Sequence, residues 1–257
     1  MPLNKLYISL ARLAQYSPKG KFRLAIFFLK LASDGYSTPA IYGPKLRNRW
    51  HDTTFRFCVL GCYGRHLSDF LRQVPYAFSF VDIGANVGLY SLIAADNPNC
   101  NNCYAFEPNP AVFAAIQENI ALNNAKEIHP YNCASSDQEG WLAFAATEAH
   151  SGIGKLVDYN SPGNIKVNSA DKTIFDEIRM SDLLPKVVKI DVEGHEPTVI
   201  NELMKSTMRE DTRYLYFEAN ESRYDVAQLI KPLERFGFRK SFQSAYSGDR
   251  DLMFTKI

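Results

Sequence analysis

A chain of 257 residues with 46% hydrophobic and 22% charged side chains can hold one sizeable α/β domain and a small extension. Its net charge of +1 gives no global attraction to nucleic acid, and none is expected as a partner. No segment approaches the roughly 20 apolar residues that cross a bilayer. Arg12 interrupts the N-terminal apolar stretch, so a signal peptide is not expected either, and the chain reads as cytoplasmic. The charge is unevenly placed: residues 1–50 hold nine Lys/Arg against the single acid Asp34, a balance of +8, leaving −7 for the remainder. Cys58, Cys62, Cys100, Cys103 and Cys133 are odd in number and form no regular framework, which favours reduced thiols. Neither close cysteine pair has further ligands at zinc spacing, so no metal is expected there.

In chain order, Leu3, Leu6, Tyr7, Leu10, Leu13 and Ala14 repeat at helical spacing, and this helix should stop near Ser17-Pro18. A second helix is predicted over Lys21–Ala32, ending at Asp34-Gly35. These basic helices read either as a cap with solvated Lys and Arg, or as a surface for peripheral membrane contact or a phosphate-bearing substrate. Residues 36–52 read as a loop, residues 53–60 as a strand and residues 65–74 as a helix, so residues 1–75 form an N-terminal helical extension. From residue 76 to 257 strands and helices alternate in the manner of a parallel sheet. Strands are predicted at residues 78–83, 103–107, 129–133, 186–191 and 214–218, with helices between them and an antiparallel pair at 238–242 and 252–256. Residues 141–170 break that rhythm and read as an inserted hairpin or loop, a place where function is often housed.

Chemistry gathers at strand ends. Asp82, Glu107, Asp191 and Glu218 each end a predicted parallel strand, and in a doubly wound sheet such ends converge on one crevice. After Asp82 the chain runs Gly84-Ala85-Asn86-Val87-Gly88, a turn of small residues in which Asn86 tolerates positive φ. Glu107 lies 23 residues beyond Gly84, the position from which a carboxylate reaches ribose hydroxyls. A dinucleotide loop, Gly-x-Gly-x-x-Gly, has its middle glycine where Asn86 stands, and Asp82 would repel a pyrophosphate while attracting a cation. S-adenosylmethionine, a cationic nucleoside without phosphate, fits these features better than a nicotinamide dinucleotide.

Residues 80–91 (FVDIGANVGLYS), 105–110 (AFEPNP) and 189–196 (KIDVEGHE) together resemble the signatures of the FkbM family of S-adenosylmethionine-dependent methyltransferases, in the family's order. The resemblance covers roughly residues 76–220. It implies a class I, Rossmann-like methyltransferase fold, a doubly wound and mostly parallel sheet, and O-methylation of a hydroxyl, often on a sugar, glycan or secondary metabolite. By the same resemblance Asp82, Gly84, Asn86 and Gly88 would hold the methionine part of the cofactor. Glu107 would take the ribose, Ala134 to Asp137 would border the adenine, and Asn109 and Asp191 are counted with the cofactor as well. Residues 141–170 match the family's inserted region in position, and residues 1–75 fall outside the likeness.

Methyl transfer needs the acceptor oxygen aligned and its proton removed. His195 is the natural base, with Asp191 or Glu193 orienting the acceptor or the imidazole. Each has a plainer reading: His195 as a helix-start residue, Glu193-Gly194 as a turn former, Glu218 as a fortuitous strand-end acid. Asp191, Glu193 and Glu218 could also gather a divalent cation. Neither the tetrapeptide used for amino methylation of nucleic acids nor a Pro-Cys pair for cytosine occurs, which leaves O-methylation favoured. The competing expectations are an NAD-dependent oxidoreductase and a non-catalytic cofactor-binding module. Acceptor contacts are expected from residues 1–75 and 141–170.

Overall fold

The computed structural model describes residues 3–14, 21–62, 65–147, 149–158, 160–161, 164–244 and 250–257. Helices α1 (Leu3–Ala14) and α2 (Lys21–Ala32) open the chain; the expected stop at Ser17-Pro18 lies outside the described residues. Residues 36–52, expected as a loop, contain a short antiparallel hairpin of β1 (Ser37–Pro39) and β2 (Lys45–Arg47).

The predicted strand at residues 53–60 is instead helix α3 (Thr53–Leu60). Its β-branched and aromatic residues suggested a strand, but two caps decide otherwise. The Asp52 side chain accepts from Thr54 N at the start, and Gly61 takes the left-handed conformation, φ 62, at the end. Thr54 with Cys58 and Phe55 with Val59 then fall one turn apart on the buried face. Helix α4 (Arg65–Leu71) follows.

The expected alternation begins with β3 (Phe78–Ile83), α5 (Leu89–Ala95), β4 (Cys100–Phe106), α6 (Pro110–Asn123) and β5 (Ile128–Tyr131). The inserted segment is more than a hairpin. Strands β6 (Ala134–Ser135), β7 (Gly140–Ala145), β8 (Lys155–Val157) and β9 (Asn164–Ala170) form a separate sheet in the order β6-β9-β7-β8. Helix α7 (Thr173–Ser181), not foreseen, follows; its signal is Asp171 accepting from Thr173 N ahead of the buried pair Phe175 and Ile178. Then come β10 (Lys186–Ile190), α8 (Glu196–Lys205), β11 (Thr212–Ala219), α9 (Val226–Arg235), β12 (Phe238–Gln243) and β13 (Arg250–Lys256).

The main sheet has seven strands in the order β12-β13-β11-β10-β3-β4-β5. Five run parallel, and β13 runs antiparallel between β11 and β12. This is the doubly wound, class I methyltransferase architecture. Period-two alternation buries both faces. Phe78 and Phe80 share one cluster with Leu29, Phe55 and Leu67 from α2, α3 and α4, whereas Val81 and Ile83 pack with Phe175 and Val199 from α7 and α8. From β3 the chain winds toward β4 and β5, and from β10 toward β11. The topological switch point therefore lies between β3 and β10, where such sheets open a ligand crevice.

Candidate active site

At the switch point β3 and β10 pair in register, Asp82 opposite Lys189 and Ile83 opposite Ile190. Both strands break immediately afterwards, and the two turns they enter are pressed together. A β-carbon on Gly84 would lie 1.9 Å from the Asp191 carbonyl oxygen, and Gly84 adopts φ +78, so size and conformation both demand glycine. Gly84 N and Ala85 N both donate to Phe106 O, at 3.0 and 2.9 Å, tying the loop to β4 as well. Asn86 at φ 50 and Gly88 at φ 81 complete the turn, as the sequence predicts for Asn86, and Gly88 starts α5.

Asp82 is fully buried beneath this loop. Its Oδ2 accepts from Ser91 Oγ at 2.7 Å, and its Oδ1 lies 3.1 Å from Lys189 Nζ, a charge contact without hydrogen-bond alignment. Lys189, itself 3% exposed, donates to Gly84 O at 2.7 Å and stands 3.7 Å from Asp191 Oδ2. Burial drives the Lys189 pKa down, but Asp82 and Asp191 more than offset it, so the net shift is upward and the ammonium stays charged. Asp82, expected to repel a pyrophosphate, does not do so in the folded protein, because Lys189 neutralises it. In the sequence Lys189 stands within residues 189–196 with no task of its own expected. Its signal was a charged residue inside a strand that is otherwise β-branched and apolar.

Glu107 sits just past β4 on the cleft floor, 6% exposed. Its Oε1 accepts from Asn109 N at 2.8 Å and its Oε2 from Asn86 N at 3.0 Å, so each oxygen is positioned by one amide and keeps a lone pair. Burial pushes its pKa up to about 7, although both amides pull the other way. The Asn109 side chain caps α6 by accepting from Ala111 N.

The turn from Asp191 to His195 forms the opposite wall. Glu193 at φ 55 and Gly194 at φ +107 are both left-handed. Glu196, 1% exposed, fixes the turn by accepting from Val192 N at 3.0 Å and from Gly194 N at 3.0 Å. Glu193 forms an ion pair with Arg223 at 2.8 Å, and burial, then Asp191, raise its pKa. Carboxylate oxygens of Asp191, Glu193 and Glu218 lie within 4.8 Å of one another, but the Arg223 guanidinium reaches the last two and already supplies positive charge.

His195 and Ala134 also border the cleft. The His195 imidazole is hydrogen-bonded to Ser136, Nε2 to Oγ at 3.0 Å, and Ser136 Oγ is 3.2 Å from Asp137 Oδ1. Asp191 turns toward Lys189, 3.7 Å away, and not toward the imidazole, which with the acceptor was one of the two groups it was expected to orient. Burial lowers the His195 pKa, and Asp137 opposes that shift.

The rim comes from the segments outside the sheet. Thr54 and Cys58 of α3 and Phe144, Ser151 and Leu156 of the insertion face the cleft. Asp52, fully buried, binds these two segments: its Oδ1 accepts from Ser151 N at 3.1 Å and its Oδ2 from Ser151 Oγ at 2.7 Å. Ser151 Oγ in turn lies 3.2 Å from Asn86 Oδ1, so the strap reaches the glycine loop.

A family model described as the methyltransferase FkbM domain matches residues 82–240, more than half of the chain. "Methyltransferase 1" of Beauveria bassiana is 28% identical over 142 residues, covering 48% of this chain and 57% of that protein. Hexuronic acid methyltransferase AglP of Haloferax volcanii is 30% identical over 151 residues, covering 58% of this chain and 59% of that protein. The chain thus spans under three fifths of the length of these two relatives. The crystal structure of methyltransferase FkbM from Methylobacillus flagellatus aligns with 98% of this chain and 58% of its own, at 15% identity and a TM-score of 0.49. The domain match, spanning Asp82, Glu107 and the Asp191–His195 turn, establishes that the chain belongs to the FkbM methyltransferase family.

Proposed function

We propose that the protein transfers a methyl group from S-adenosylmethionine to a hydroxyl of a sugar, glycoconjugate or secondary metabolite. The observation that carries this reading is Glu107, a buried carboxylate aimed by two backbone amides and facing the same cleft as His195. Its remaining lone pairs suit two ribose hydroxyls. Gly84, Asn86 and Gly88 supply a backbone that a ligand can approach closely, and Asp191 gives the wall an acid suited to a cation. With Asp82 neutralised, discrimination against pyrophosphate passes to Glu107 and Asp191. Asn109 serves this site by fixing Glu107, and Ala134 borders the adenine side.

S-adenosylmethionine would supply a methyl group activated by a sulfonium. The chain's own task is to place the acceptor oxygen and take its proton. If Ser136 gives its hydrogen to Asp137, then Nε2 of His195 carries a hydrogen and Nδ1 is the accepting nitrogen. A lowered pKa keeps that imidazole neutral near pH 7, ready to act as base. Asp191 and Glu193 shape and charge the wall on which the acceptor would rest. Residues 1–75 act as a cap on the domain of residues 76–257, and with the insertion they form the acceptor side. The likeness to AglP, whose name specifies a hexuronic acid, supports a sugar acceptor.

Titration calorimetry with S-adenosylmethionine and with NAD tests the cofactor. A screen of glycan and metabolite extracts with labelled methyl donor tests the acceptor. Tight NAD binding with no response to S-adenosylmethionine would overturn the proposal.

A further inference from the structure

Helix α2 is apolar on two opposite sides. Ala25 and Leu29 are fully buried and Ala32 is 3% exposed against the body of the protein. On the other side Leu24, Phe27 and Leu31, spaced by three and four residues, are 46%, 55% and 45% exposed, and Leu6 of α1, which packs on α2, is 47% exposed. Scattered surface leucines are ordinary, but a row of large side chains along one helix face marks a surface that something covers. Exposed cations accompany the row. Arg23 and Lys30 lie four residues before and three after Phe27, on its flank, and Lys5 is exposed on α1. Lys30 also reaches over the Trp50 ring, 5.2 Å from its centroid.

We propose that this face binds the surface of an anionic phospholipid bilayer. Helix α2 lies in the plane of the interface, with Leu24, Phe27 and Leu31 below the headgroups and Arg23, Lys30 and Lys5 among them. Charge complementarity selects this occupant: a second copy of the chain would bring a face of the same sign, whereas anionic headgroups bring the opposite one. The row of large apolar side chains suits insertion into a soft interface. Contact is peripheral, since among the described residues no helix is long and apolar enough to cross a membrane. The inference does not depend on which acceptor is methylated.

Sedimentation of the full chain with vesicles provides the test. Vesicles of phosphatidylcholine alone are compared with vesicles doped with phosphatidylserine. The wild type should partition to the doped vesicles at least about tenfold more strongly, and raised salt should reverse this. The triple variant Leu24→Ser, Phe27→Ser, Leu31→Ser should lose binding while keeping its far-UV spectrum and thermal transition, since the three side chains are half exposed. Arg23→Gln with Lys30→Gln should weaken binding by on the order of fivefold for each charge removed. Equal partition to both vesicle types, no partition at low salt, or unchanged binding by the triple variant overturns the proposal. So does a concentration-dependent dimer that the triple variant abolishes, because the face would then be an interface between copies.

Discussion

Gly84 and Asp191 belong to different turns, yet a β-carbon on Gly84 would stand 1.9 Å from the Asp191 carbonyl oxygen. Each turn thus sets the position of the other, and the loop that would hold the cofactor is mechanically joined to the wall that carries His195. Gly84→Ala meets a backbone atom and must also hold φ +78 with a side chain. It should lower stability by about 2–4 kcal/mol, the sum of overpacking and left-handed strain. Denaturant unfolding measures that loss, and calorimetry should show cofactor affinity falling with it.

Lys189→Met leaves Asp82 as a charge in a fully buried position. Removing one partner of a buried pair costs about 3–5 kcal/mol. The double variant Lys189→Met, Asp82→Asn should recover a large part of the loss, and a double-mutant cycle in urea gives the coupling. Equal stability of the single variant and the wild type would refute the neutralising role.

The raised pKa of Glu107, about 7 against an ordinary 4.5, has two consequences of opposite sense. The folded state holds this proton more tightly than the unfolded chain does, so the contribution of Glu107 to stability falls as pH rises through that window. Ribose hydroxyls need the ionised carboxylate, so cofactor affinity should rise over the same interval, by up to about tenfold per pH unit below pH 7. Titrations between about pH 6 and about pH 8 on the wild type and Glu107→Gln separate these effects, because the variant should lose this component of the pH dependence. Glu107→Ala should weaken binding by about 1–3 kcal/mol.

His195→Ala should lower kcat by on the order of 10²–10⁴ with cofactor affinity nearly intact. Because burial lowers its pKa, the acid limb of the rate profile should turn below 6.5. Ser136→Ala removes one hydrogen bond from the imidazole and should cost about five- to tenfold in kcat, with a displaced acid limb. A His195→Ala enzyme with wild-type turnover eliminates it as the base.

Asp52→Ala removes the cap of α3 and both bonds to Ser151. The loss should be about 2–3 kcal/mol, from the cap and the polar groups left unpaired. Ser151→Ala spares the cap but cuts the strap to Asn86, so it should affect the Michaelis constant for the cofactor more than stability. Thermal melts set beside steady-state kinetics for the two variants distinguish these outcomes.

The sequence by itself determined what local pattern can determine. Alternating apolar runs specified a parallel sheet, strand-ending acids marked one crevice, and residues 80–91, 105–110 and 189–196 carried the resemblance to the family. Those signals are legible because a strand, a turn and a helix start are each written in a few neighbouring residues. Long-range partners are not. His195 meets Ser136 across 59 positions, Asp52 meets Ser151 across 99, and Ser151 meets Asn86 across 65. Only tertiary packing brings them together. It also set Lys189 opposite Asp82, turning an acid that looked free in the sequence into a buried, neutralised support. Thr53–Leu60 reads as a strand but folds as a helix, because β propensity, a weak preference, yields to the capping residues Asp52 and Gly61 and to a face that packs as a helix.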